Sequence, residues 1–146
     1  MKIPFRIQRH PTGFLKAVLF EGLGRTIRIH FWPKGRNGVR PDVHGHRFRF
    51  VSVPILGTFV ERRYERTGRT DHAIVNCADN GGILEDGGRG GIRVVSTTLR
   101  KPFRPYACGL DQIHDFEPAS DRPSLTIVFM GRRRKDRAPV YQPASP

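Results

Sequence analysis

Apolar and polar residues alternate one for one along Ile27–Trp32, IRIHFW, which sets Ile27, Ile29 and Phe31 on one face and Arg28, His30 and Trp32 on the other. A period of two marks a β-strand lying against a core. The same signal recurs in Val43–Val53 and Gly57–Tyr64, joined around Pro54–Gly57, and again in Ile92–Leu99 and Ser124–Met130. Ile3–Ile7 reads as a short edge strand and Ala73–Val75 as a brief inner one. Thr12–Phe20, TGFLKAVLF, departs from this pattern: Thr12 can cap a short helix that Gly22 or Gly24 would end. Pro33, Gly35, Asn37, Gly38 and Pro41 supply turn chemistry before the next strand. Thr67–Gly91 is polar and rich in Gly, Asp and Asn, and GGILEDGGRGG within it reads as a mobile hairpin tip. No Lys-Ser/Thr follows that run and no helix begins there, so it is not a phosphate cradle. About eight short strands, one N-terminal helix and no repeat predict an all-β sandwich or closed barrel. Residues 1–138 are expected as a single barrel domain, with 139–146 a tail ordered only in part.

The length of 146 residues suits one domain with a real core. The start, MKIPFRIQRH, has no signal-peptide pattern, and no apolar run approaches membrane-spanning length. Cys77 and Cys108 are too few for a disulfide framework, so free thiols and a cytoplasmic location are expected. The net charge of +13 raises nucleic acid, an acidic partner or an anionic substrate. The charge is dispersed over Arg25, Arg28, Arg47, Arg49, Arg62, Arg63, Arg93, Arg100 and Arg104, and only Gly131–Arg137, GRRRKDR, forms a run. No nucleic-acid motif accompanies it, so a solvated basic surface is the expectation and nucleic acid is not expected as a partner.

The chemistry gathers at two stretches. His44 and His46, one residue apart on an expected strand, aim two imidazoles at one point, a natural way to hold a metal. His114, in CGLDQIHDFEPA, is the downstream candidate for a third ligand. Asp42 shares their parity and is placed either as a further ligand, as a group orienting an imidazole, or as a turn cap. His10 and His72 fall in loops and are assigned no role.

With Gly38, His44, His46 and Gly57 on the spacing Gly, five residues, His-x-His, three residues, one position, six residues, Gly, the sequence resembles the cupin superfamily. The position that the family fills with Glu holds Phe50. His114, after Ala107-Cys108-Gly109, matches the second motif, and the resemblance runs from about Arg25 to Gly131. It implies a double-stranded β-helix, or jelly roll, with the site inside the barrel. Without the Glu, three neutral imidazoles remain, a set similar to that of thiol dioxygenases such as cysteine dioxygenase. In that case the implied ion is Fe(II), with Zn, Ni or Mn as alternatives, and the implied co-substrate is O2. The ending TIVFMGRRRKD is similar to cupins of natural-product pathways, some of which act on L-cysteine.

A small anionic substrate would need a guanidinium, because a planar fork pairs with a carboxylate through two hydrogen bonds. Arg28 is the first choice, with His30 and Trp32 sharing its face and Phe50 beside the ligands, and Arg104 is the second. Parity turns Arg47 and Arg49 to the surface. Tyr106 is placed as the catalytic phenol, with Tyr141 as a second candidate. Three functions follow. The first is an iron dioxygenase of a small thiol amino acid, L-cysteine or a derivative. The second is a metal-dependent isomerase or lyase on a small anionic metabolite, and the third a non-catalytic binder. A homodimer through edge strands is the expected assembly.

Overall fold

In the computed structural model, residues 6–37, 39, 41–77 and 83–143 are described; Gly38 and residues 3–5 of the expected edge strand lie outside them. The strands are β1 (Arg6–Arg9), β2 (Leu15–Gly22), β3 (Arg25–Trp32), β4 (Val43–His44), β5 (Phe50–Leu56), β6 (Phe59–Cys77), β7 (Ile83–Arg100), β8 (Tyr106–Cys108), β9 (Ile113–Pro118), β10 (Ser124–Met130) and β11 (Ala138–Pro143). They form a six-stranded sheet, β1-β2-β3-β10-β5-β8, and a five-stranded sheet, β11-β4-β9-β6-β7, with β11 also pairing β6. Every pairing is antiparallel. The expected all-β jelly roll is what forms, and among the described residues no helix is long and apolar enough to cross a membrane.

The expected N-terminal helix does not form. Leu15–Gly22 is a strand between β1 and β3, and its buried positions are Lys16 and Val18. The period of two was there, but a lysine occupies one of its inward positions, which disguised the pattern. Thr67–Gly91, where a brief strand at Ala73–Val75 and a mobile hairpin tip were expected, is strand over a longer span. Except for residues 78–82, which are not described, it continues β6 and β7 as one long ribbon. Gly90 and Gly91, at the end of GGILEDGGRGG, belong to that ribbon: a Cβ on Gly91 would stand 2.3 Å from Thr67 Oγ1 and one on Gly90 2.8 Å from Ile74 Cδ1. They are there for close approach rather than for motion. Residues 138–143, in the stretch read as a tail, form β11 against β4 and β6.

The inner faces of the two sheets meet on rings. Trp32 lies edge-on to Phe59 at 5.0 Å between centroids, Phe59 stacks on Phe116 at 4.6 Å, and Tyr106 on Phe116 at 5.6 Å. Beside them Phe50, Tyr106, Cys108, Val128 and Met130 form the apolar cluster. Burying one such ring contributes about 1.5–3 kcal/mol, so this layer fixes how the sheets face each other. Gly57 makes the turn from β5 to β6: its φ is +80°, and a Cβ there would stand 2.4 Å from Ser124 Oγ.

Candidate metal centre

The expected strand Val43–Val53 is two strands in different sheets. β4 ends at His44, residues 45–49 bend, and β5 begins at Phe50. Gly45 permits this passage because it packs on Pro139, whose carbonyl accepts its N–H at 2.9 Å. His44 and His46 therefore converge across a bend between sheets, not along one strand face. The bend also overturns the parity assigned to Arg47, which is 4% exposed and lines the cavity.

His114 comes from β9, directly opposite His44 in the pairing of β4 with β9. One nitrogen from each of His44, His46 and His114 lies within 4.8 Å of the others. The Nε2 atoms of His46 and His114 are 2.8 Å apart, and the ring centroids of His44 lie 4.7 Å from His46 and 5.1 Å from His114.

Each tautomer follows from the partner. His44 Nδ1–H donates to the Asp42 carbonyl at 2.7 Å, which leaves Nε2 bare. Asp42 thus orients a ligand through its main chain. His114 Nδ1–H donates to Glu61 Oε1 at 2.8 Å, and a carboxylate can only accept, so the neutral form of His114 presents a bare Nε2. With His114 neutral, His46 Nε2–H donates to His114 Nε2 in the protein alone. Replacing that one proton by a cation lets three lone pairs converge. Burial, reinforced by His114, lowers the His44 pKa to about 3. Burial and the rings of His44 and His114 hold His46 well below its ordinary value. Both rings are neutral at neutral pH, as metal donors must be. The donor set fits a divalent first-row ion.

Glu61 is the residue the sequence reading missed. It is fully buried. Burial alone would raise its carboxyl, but hydrogen bonds from His114 and Arg100 outweigh that and hold it at about 2. Only the alternation Phe59, Glu61, Arg63 on β6 hinted that a carboxylate faced inward.

The three imidazoles open on a cavity of about 390 Å³. Arg28, His30, Trp32, Phe50 and Tyr106 all line it. Arg104 does not: it is exposed outside the barrel, because residues 101–105 turn away before β8. Tyr141 does not line it either, and its hydroxyl accepts from Arg66 Nε at 3.1 Å. Lys16, 6% exposed, and His10 join the lining, although His10 was assigned no role. His10 stacks on Phe14 at 4.4 Å, and Phe14 packs on His30 at 4.7 Å. Asp42 is the one acidic side chain among the described residues that line the cavity, against Lys16, Arg28 and Arg47. Tyr106 keeps its proton, because burial raises its pKa despite a hydrogen bond with Ser52.

No family model matches the sequence, and no curated protein matches it either. Solved structures do. The chain is similar to an RmlC-like cupin from Shewanella frigidimarina, with TM-score 0.55 and 15% identity over 93% of this chain and 91% of that one. It is similar to hydroxypropylphosphonic acid epoxidase from S. wedmorenis, with TM-score 0.54 and 9% identity over 90% of this chain and 56% of that one. It is also similar to Fe(II) HppE, with TM-score 0.53 and 10% identity over 89% and 58%. These likenesses show a shared fold.

Proposed function

We propose that this cupin-fold protein is a metal-dependent enzyme acting on one small anionic substrate, and within that class an iron dioxygenase of a small thiol amino acid, L-cysteine or a derivative. The observation that carries the reading is the meeting of three imidazoles beside a cavity whose charged side chains are mostly cationic. His44, His46 and His114 would hold the ion. The similarity to Fe(II) HppE supports iron over zinc, nickel or manganese. When bound, Fe(II) supplies one place at which a thiolate and O2 are brought together.

The chain's own residues do the rest. Arg28 would pair with the substrate carboxylate through its planar fork, and the rings of Trp32 and Phe50 would exclude water beside it. Tyr106 holds a proton on its phenol oxygen and would donate a hydrogen bond into the cavity. A set of neutral ligands favours an anionic sulfur donor, because the substrate then brings the negative charge that a carboxylate ligand would have brought. The free thiols Cys77 and Cys108 agree with a cytoplasmic enzyme. A homodimer through edge strands is part of the proposal.

Oxygen uptake by the iron-loaded protein, measured with L-cysteine and a panel of small thiols, tests this. Uptake matched by loss of thiol is the expected result. No uptake across the panel overturns the dioxygenase reading, and turnover of an anionic metabolite without O2 would assign the site to isomerisation or lyase chemistry.

A further inference from the structure

Glu61 stands behind the metal centre and touches both of its walls. The pairing of β6 with β9 sets Glu61 opposite Phe116 and Arg63 opposite His114, so Glu61 shares the inward face with the third imidazole. Oε1 accepts from His114 Nδ1 at 2.8 Å. Oε2 accepts from Arg100 Nε at 2.8 Å and from its terminal nitrogen at 2.5 Å. The Arg100 guanidinium also lies over the Tyr106 ring, 4.7 Å from its centroid. Arg63 Nε stands 3.3 Å from Oε1. One buried carboxylate thereby ties a ligand on β9 to the aromatic wall on β8.

We infer that Glu61 is the positioning residue of this centre: it locks His114 in the tautomer that bares Nε2, and it places behind that ligand the negative charge that Phe50 cannot place in front. The inference rests on the metal-centre reading above. A neutral imidazole has one N–H, and an acceptor fixed at Nδ1 decides where it sits. An anionic acceptor at Nδ1–H also makes the ring a stronger donor through Nε2. The two bonds from Arg100 keep the carboxylate from rotating away, so His114 has one orientation available. The charge that the ion meets is therefore not that of three isolated imidazoles, because a carboxylate acts through the third.

Cobalt(II), whose absorption reports ligand geometry, is the probe, with the whole chain and three variants. Glu61→Gln keeps an acceptor of the same shape without the charge, Glu61→Ala removes both, and Glu61→Asp restores the charge. Cobalt affinity, measured against a competing chelator, should fall about 10–100-fold in Glu61→Ala. It should fall less in Glu61→Gln and recover in part in Glu61→Asp, with altered absorption bands in the first two. In the metal-free protein, nitrogen NMR of the His114 ring should show one tautomer, protonated at Nδ1, and Glu61→Ala should lose that preference. Should Glu61→Ala not fold, Glu61→Gln carries the test. Wild-type cobalt affinity and spectrum in the Gln variant, with mixed tautomers in the parent, overturn the inference. Failure of the parent to bind cobalt at all sinks the metal reading itself, a different result.

Discussion

The Nε2 atoms of His46 and His114 stand 2.8 Å apart, although 68 positions separate the two residues in the chain. Two bare lone pairs repel at that distance, so a proton or a cation must lie between them. Metal–nitrogen bonds of about 2.0–2.1 Å put neighbouring ligand atoms about 3 Å apart, so the spacing already suits an ion. Binding to the folded state alone adds to stability. Zinc or cobalt at 100 times its Kd should raise the unfolding free energy by about 2.7 kcal/mol. Scanning calorimetry should show the rise in Tm, a chelator should reverse it, and His44→Ala should lack it. An equal rise in His44→Ala would place the ion elsewhere.

Much of this was legible in the chain. The alternation in Ile27–Trp32 separated Arg28, His30 and Trp32 from Ile27, Ile29 and Phe31, and the first three line the cavity, because β3 is paired on both sides and keeps a strict period. The metal candidates were legible as residue types at a spacing. What brings them together was not: Gly45 packs against Pro139, a contact of 94 residues' separation that no local pattern encodes. Arg47 was misplaced for the same reason, since parity holds only while the strand does. Lys16 and Glu61 were missed because a charge at an inward position reads as surface until its partners are known. Glu61 has His114 and Arg100; those partners come from β9 and β7, far along the chain.

Arg28 gives a second prediction. Its guanidinium is the planar fork on the cavity side of β3, and a hydrogen bond between charged groups is worth about 1.5–3 kcal/mol. Arg28→Met should raise KM for an anionic substrate about 10–100-fold. Arg28→Lys should recover only part of that, since an ammonium cannot form the fork. Steady-state kinetics with L-cysteine measures it, and unchanged KM in both variants removes Arg28 from substrate binding.

Acid should unfold the protein through His30. Burial lowers its pKa to about 3, helped by the nearby charges of Arg28, His10 and Lys16, and burial likewise lowers His10 to about 4. In the unfolded chain each takes up a proton near pH 6.5, while in the folded protein each resists until pH 3–4. Between those values the unfolded state binds more protons, so stability falls as pH falls, by about 1.4 kcal/mol per pH unit for each such group. Urea unfolding at a series of pH values should show the slope reduced by about one proton in His30→Phe. An unchanged slope would mean that His30 titrates alike in both states.

The Phe50 position offers the sharpest contrast between metal-free and metal-bound protein. Its ring is buried and lies 4.7 Å from the His46 ring, edge to face, with Tyr106 and Cys108 behind it. Phe50→Glu would place a carboxylate where the cupin motif has one. Without an ion, that group sits unpaired in an apolar cluster and the cavity left by the ring is unfilled, so the variant should lose about 3–5 kcal/mol of stability. With an ion, the carboxylate becomes a fourth donor, and its charge offsets the cation. The metal-induced rise in Tm should therefore exceed that of the parent, while thiol-dependent oxygen uptake should fall because the substrate's place and its charge are both taken. Calorimetry with and without zinc reads the first effect and an oxygen electrode the second. A variant destabilised equally with and without metal would mean that position 50 cannot reach the ion, and that the carboxylate of this centre acts only from behind, at Glu61.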